Sequence, residues 1–255
     1  MPAIQTESNS PRALARRHGD YGFDAPYVPI MLGSIGLIFT IIGIIALLAS
    51  SLFAALFCLI YGILMLLSSA SYVYTTRIGK FKSWDTILSQ LALHGDEQVL
   101  DMGCGRGAIL LMVAKLLPRG KATGVDLWRA SDQSGNALST TEQNAKLEGV
   151  SDRVELQTGD MRKLPFPNNS FDLILSSLAI HNIPNEAGRD KAIDEAIRVV
   201  KPGGRIVIAD FRHVRQYKQR LSQKGMAHVT YRTLNWRFWY GGPWTATKLV
   251  TARKP

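Results

Sequence analysis

The sequence predicts an α/β fold, a parallel sheet covered on both faces by helices, preceded by a two-helix apolar hairpin. Three observations predict it. Between Ala25 and Thr76 there is no Asp, Glu, Lys, Arg or His. From Gln98 onward, apolar runs of strand length alternate with helix-length segments. The first of those runs ends in a glycine-rich turn, VLDMGCGRG, which leads into the apolar stretch AILLMVAKLL.

The uncharged block comes first. A helix rises 1.5 Å per residue and a bilayer core is ~30 Å thick, so one span needs about 20 residues. The stretch 27–74 is too long for one span and suits two, 28–49 and 52–73, with Ser50 and Ser51 at the turn. It is also several times longer than the apolar core of a signal peptide. Arg12, Arg16 and Arg17 precede the block, and Arg77, Lys80 and Lys82 follow it. Under the positive-inside rule both flanks then face the cytoplasm, as an even number of spans allows. Tyr27, Tyr72 and Tyr74 fall where interfacial aromatics belong. The expected organisation is a cytoplasmic segment 1–26, a transmembrane hairpin 27–76 and a soluble domain 77–255. An integral membrane protein with both termini and the catalytic domain in the cytoplasm follows.

Charge sharpens this picture. The chain carries a formal net charge of +10, and all of it lies after residue 76. The last 55 residues hold twelve Lys or Arg against one acid, Asp210. Such a surface suits an anionic membrane face, nucleic acid or an acidic partner, and the apolar block favours the membrane. The basic segment 212–224 is expected to form a helix facing lipid headgroups. Six of the fourteen residues from 231 to 244 are aromatic, suited either to a core or to a substrate entrance at the interface. Cys58 and Cys104 are the only cysteines and set no disulfide framework.

In the soluble part, Trp84, Ile87, Leu88 and Leu91 recur at helical spacing. Strands are expected at 98–102, 121–126, 153–158, 171–176 and 204–210. Two more, at 228–236 and 245–253, would be joined by a Gly-Gly-Pro turn. In an open parallel sheet, ligands bind at the carboxyl ends of the strands. Gly103, Gly105 and Gly107 let the chain turn tightly there and expose amides at a helix start. Gly103, Gly105 and Ala108 also satisfy a dinucleotide-type fingerprint, so the turn alone leaves the ligand open. Asp101 suits a cationic amino acid better than a pyrophosphate. Asp126 is placed to accept from ribose hydroxyls, and Asp160 from an adenine amino group. No metal site is read from the sequence.

Together VLDMGCGRG, GVDL, GDMRKLPFPNNSFDLILSSLAIHNI and VVKPGGRIVIADF resemble the class I S-adenosylmethionine (SAM)-dependent methyltransferases. Within that class the likeness is to the ubiquinone/menaquinone-type, "type 11" small-molecule group. It covers about residues 97–210, and most of 84–255 with the terminal strands. The resemblance implies a Rossmann-like seven-stranded sheet of order 3-2-1-4-5-7-6 with strand 7 antiparallel. It implies that Asp101, Gly103, Cys104, Gly105 and Gly107 surround the methionine moiety, and that Asp126 holds the ribose. Leu127 would lie against adenine, Asp160 and Met161 at its edge, and Ser176 at the amino-acid end. His181 is the best candidate for a base or substrate contact, with Asn182 a weaker companion. The polar link from Leu127 to Val150, with Trp128 and the segment DQSGN, is longer than usual. It either caps the cofactor or elongates a surface loop.

The resulting expectation is a membrane-anchored SAM-dependent methyltransferase of a small, lipophilic acceptor. Competing readings are a membrane-tethered enzyme acting on a water-soluble metabolite, a protein or nucleic-acid methyltransferase, a non-catalytic SAM-binding protein and an NAD enzyme. SSLAIHNI contains no N-P-P-Y-type tetrapeptide after the fourth strand, which sets nucleic acid last.

Overall fold

A computed structural model of the chain describes residues 17–129 and 133–255. Arg12, Arg16 and Asp132 of the DQSGN segment lie outside the described residues.

Two long apolar helices come first, α1 (Tyr27–Leu48) and α2 (Leu52–Tyr74), with Ser50 at positive φ in the turn between them. They differ by a residue at each outer end from the expected spans. Both are long and apolar enough to cross a membrane. They meet through glycine: a Cβ on Gly62 would stand 2.8 Å from Thr40 N and 2.9 Å from Gly36 O. Small residues thus let the two backbones approach, as in membrane helix pairs. Most of the remaining surface of the pair is exposed Ile, Leu and Phe, among them Leu48 and Phe53.

At its far end α2 does not stop. It passes through one π-helical turn, Thr75–Gly79, directly into α3 (Lys80–Gln90), giving one unbroken helix of 39 residues, Leu52–Gln90. A side chain on Gly79 would collide with the carbonyl of Arg237, so the π turn lies where the segment around Arg237 presses on this helix. The apolar face of α3 then buries Phe81, Trp84, Ile87 and Leu88 against the sheet.

Seven strands follow: β1 (Gln98–Met102), β2 (Lys121–Asp126), β3 (Val154–Thr158), β4 (Phe171–Ser177), β5 (Val200–Asp210), β6 (Ala227–Thr233) and β7 (Lys248–Arg253). Their order is β3-β2-β1-β4-β5-β7-β6. β1 to β5 run parallel, and β7 is antiparallel to both of its neighbours. Four helices complete the layers: α4 (Ala108–Ala114), α5 (Leu138–Leu147), α6 (Glu186–Val199) and α7 (Val214–Gln223). The core divides into two clusters, one containing Trp84 of α3 and Leu110 of α4, the other Ile193 of α6 and Tyr217 of α7. The Rossmann-like seven-stranded sheet expected from the resemblance is the observed fold.

The end of the chain differs from expectation. β6 and β7 are shorter than their apolar pattern suggested, and a fourteen-residue loop, 234–247, replaces a tight turn. Asn235 accepts from the Arg237 amide and starts a 3₁₀ turn, and Leu234 N donates to Thr247 O to close the loop. The aromatics therefore leave the sheet and pack on the hairpin: Tyr74 stacks on Trp236 with centroids 5.2 Å apart, and Tyr72 meets Tyr240 edge-on at 5.0 Å. Thr75 and Ser71 both donate to the Trp239 carbonyl.

The basic segment forms the expected helix, α7, and part of its charge is paired within the fold. Val214, Tyr217 and Leu221 are buried against the sheet, and Arg220 and Lys224 pair with Asp194 of α6. Its last turn is thus neutralised within the fold, while Arg212, Arg215 and Lys218 are exposed and have no ion pair among the described residues.

Candidate cofactor and acceptor site

The strands β1, β2 and β4 end side by side, and a cleft of about 280 Å³ opens above them. Asp101 is the penultimate residue of β1, 1% exposed, with Oδ1 lacking a hydrogen-bond partner among the described residues. Burial pushes its carboxyl up to about 7, with repulsion from the Asp126 carboxylate adding to the effect. A buried carboxylate oxygen left without a partner is costly unless a ligand completes it. Gly103 follows at φ +76°, where a Cβ would stand 2.2 Å from the Ala179 Cβ, so only glycine lets the loop lie against the end of β4. Gly105, at φ +51°, donates its amide to Asp126 Oδ2 at 2.8 Å. The turn is therefore stitched to the end of β2, while Gly107 at positive φ caps α4. Cys104 lines the same wall, its thiol pushed up by burial.

Asp126 also accepts from the Trp128 amide at 2.6 Å and from Asn136 Nδ2 at 3.3 Å, so the link after β2 folds back onto it. The Trp128 indole is turned away from the glycine loop and donates to Thr158 Oγ1 at the end of β3. Leu127, half-exposed, lines the cleft next to Asp126 and offers an apolar face. Across from it stand Gly159, Asp160 and Met161. Hydrogen bonds from Arg162 hold the Asp160 carboxyl below the usual range.

One assignment is corrected by the pleat. Ser176 is buried and donates to the Met102 carbonyl at 2.9 Å, away from the cleft. Its neighbour Ser177 lines the cleft, because successive strand side chains point to opposite faces. Ser177 accepts from the Trp84 indole, which ties β4 to α3.

His181 lies within the stretch that supplies Leu178, Ala179, Asn182 and Ile183 to the cleft wall, but does not itself line the cleft. Its Nδ1 is 2.8 Å from Asp210 Oδ1, an ion-pair distance too oblique for a hydrogen bond. Asp210, fully buried at the end of β5, also accepts from the amides of His181 and Phe211 and from the Tyr217 hydroxyl. The imidazole packs on Phe211, which neighbours Tyr240 and through it the hairpin.

Asp24 and Lys80 line the cleft although sequence reasoning placed neither there. Residues 17–26 run along the domain rather than away from it. Glu148 accepts from the amides of His18 and Gly19 and from the Tyr21 hydroxyl, and Asp20 pairs with Arg106. Asp24 then reaches the cleft, where Lys80 Nζ, the Tyr240 hydroxyl and Gln133 Nε2 all donate to its carboxylate. The available signal was spacing: Lys80 stands four residues before Trp84, on the same face of α3.

The family model described as "Methyltransferase domain" matches residues 93–241, and the chain belongs to that family. It is 33% identical over 132 residues to a demethylmenaquinone methyltransferase of Lactiplantibacillus plantarum, covering 51% of this chain and 52% of the relative. It is 31% identical over 147 residues to the sterol 4-C-methyltransferase strm-1 of Caenorhabditis elegans, covering 57% and 41%. The chain thus spans about half the length of the curated relatives it matches. Among solved structures, a SAM-dependent methyltransferase from Aquifex aeolicus aligns with a TM-score of 0.53 at 20% identity, over 68% of this chain and 89% of that one. The [4+2]-cyclase SpnF aligns with a TM-score of 0.57 at 20% identity, over 69% and 82%. These two show the shared fold.

Family and fold imply S-adenosylmethionine as the cofactor. The cleft fits it: the partnerless Oδ1 of Asp101, the glycine cradle that a Cβ would fill, and the acids at the end of β2 and just after β3 match an ammonium, a close-lying chain and a nucleoside.

Proposed function

We propose that this protein is a membrane-anchored SAM-dependent methyltransferase acting on a small lipophilic acceptor that it meets at the bilayer surface. Bound in the cleft, the cofactor supplies an electrophilic methyl group on a sulfonium. In this reading Asp101, Gly103, Cys104, Gly105 and Gly107 surround its amino-acid end, Asp126 the ribose, and Leu127, Asp160 and Met161 the adenine. Positioning donor and acceptor supplies most of the rate in such a displacement. His181 acts as the base for an acceptor hydroxyl: Nδ1 faces Asp210, and Nε2 takes the proton.

The observation that carries the lipophilic reading is the contact between hairpin and site. Tyr72 of α2 packs on Tyr240, whose hydroxyl donates to the cleft-lining Asp24, and Lys80 of the same continuous helix lines the cleft. An anchor that served only as a tether would need no such contact. The exposed apolar surface of α1 and α2 supports membrane insertion, since soluble proteins rarely expose such patches. Exposed Arg77 and Lys82 support a cytoplasmic domain, whereas Lys80 is buried and does not count towards that rule. Exposed Trp236 and Trp244 beside the hairpin suit the headgroup region. Relatives named for quinone and sterol methylation lend the acceptor class.

The test is transfer of labelled methyl from SAM in membranes carrying the full chain, followed by partition of the product. Label in the organic phase is expected. Label confined to a water-soluble product would overturn the lipophilic reading.

A further inference from the structure

The cofactor's amino-acid end carries both an ammonium and a carboxylate. Asp101 answers the first. Among the described residues lining the cleft, the cations are Lys80, Arg129 and Arg162. Arg162 is engaged by Asp160 after β3, and Arg129 follows β2, so both belong to the nucleoside side of the cleft. Lys80 belongs to the other side. One helical turn further along α3, Trp84 is hydrogen-bonded to Ser177 at the end of β4, the strand whose Leu175 pairs with Asp101.

The Lys80 ammonium is 4% exposed as a residue and is held by Asp24 through two of its donors, at 2.7 and 3.0 Å. An ammonium has three donors, and the third has no acceptor among the described residues. Asp24 itself is fixed by Tyr240 and by Gln133, whose Oε1 accepts from the Arg106 amide within the glycine loop. A buried, oriented cation with one donor in reserve therefore stands beside the loop that would hold the amino-acid end.

We propose that Lys80 receives the α-carboxylate of the bound cofactor, and that Asp24 positions Lys80 for it. The inference rests on the SAM reading above and adds that the membrane helix itself completes the cofactor site. Asp24 holds the ammonium aimed, so a second carboxylate meets it without reorganisation.

The test compares binding of S-adenosylmethionine and of decarboxylated S-adenosylmethionine to the full chain in detergent, by calorimetry. The second ligand keeps the ammonium and sulfonium and lacks only the carboxylate. Lys80→Met is expected to weaken S-adenosylmethionine at least about thirtyfold and to leave the decarboxylated ligand within about twofold. Lys80→Arg should recover most of the loss. Because Lys80→Met leaves Asp24 without its cation, the double variant Asp24→Asn/Lys80→Met is run beside it and should show the same selectivity. Equal weakening of both ligands, or of neither, in the single and double variants overturns the assignment. Failure of the unaltered protein to bind either ligand overturns instead the SAM reading on which it rests.

Discussion

Replacing Asp101 by Asn should stabilise the cofactor-free protein while crippling cofactor binding, and the stabilisation should depend on pH. In the folded chain this carboxyl rises from an ordinary 3.8 to about 7, because burial disfavours its charged form and Asp126 repels it. The unfolded chain has no such penalty. Below pH 4 the group is protonated in both states and costs nothing. Between pH 4 and 7 the folded state holds a proton that the unfolded state releases, so stability falls as pH rises, and above 7 the full cost remains. Three units at about 1.4 kcal/mol each set a ceiling of about 4 kcal/mol. For a chain of this size that is on the order of ten degrees in Tm. The assay is thermal unfolding of Asp101→Asn and unaltered protein in detergent from pH 4.5 to 8.5, without cofactor. The gain should be small at pH 4.5 and largest at pH 8. S-adenosylmethionine should raise Tm for the unaltered protein and much less for the variant. A Tm difference that is flat with pH, or a variant less stable at pH 8, would refute the claim that the site stores this strain.

Other expectations follow from single contacts. His181→Ala should lower kcat about a hundredfold or more with cofactor affinity unchanged by calorimetry, and undiminished turnover would remove it from the mechanism. Gly103→Ala forces a Cβ into Ala179 at positive φ, and should weaken cofactor binding at least tenfold in the same titration. Gly62→Leu drives a side chain into Thr40 and the α1 backbone, and should separate the hairpin helices, read as easier proteolysis between them. Arg220→Ala removes only partly exposed pairs with Asp194 and Asp190 and should cost at most about 1 kcal/mol in denaturant unfolding.

The central sheet was legible because β1 and β2 are short runs with a buried apolar middle, each closed by an acid at its carboxyl end, so their ends coincide with the expected ones. β5 was under-read: Pro202 and two glycines look like a turn, yet the chain pairs from Val200 and closes against Lys254. β6 was over-read because Leu234 and Trp236 continue an apolar pattern that serves the hairpin contact instead. In the site, the strand-end acids were visible because the fold puts all strand ends in one crevice. Ser176 failed by one residue, since strand phase depends on which face of β4 meets β1. Asp24 and Lys80 flank the apolar block and lie 56 residues apart, so only the tertiary path of residues 17–26 brings them together. Exposed charge on α7 was likewise overestimated, because its partners come from α6.

The unbroken helix from Leu52 to Gln90 has a mechanical meaning. At 1.5 Å per residue its 39 residues measure roughly 58 Å, about twice a bilayer core. In the proposed membrane-anchored arrangement α2 lies in the bilayer and the same helix runs on as α3 into the core of the catalytic domain, a strut rather than a leash. A flexible linker would let the catalytic domain sample many heights and tilts. In that arrangement a strut fixed at the π turn by the 234–247 loop would hold one height and one tilt, so the cleft would sweep a single thin layer of the membrane surface. Acceptors whose reactive atoms sit in that layer would be searched for in two dimensions, and those buried deeper or floating free would be passed by.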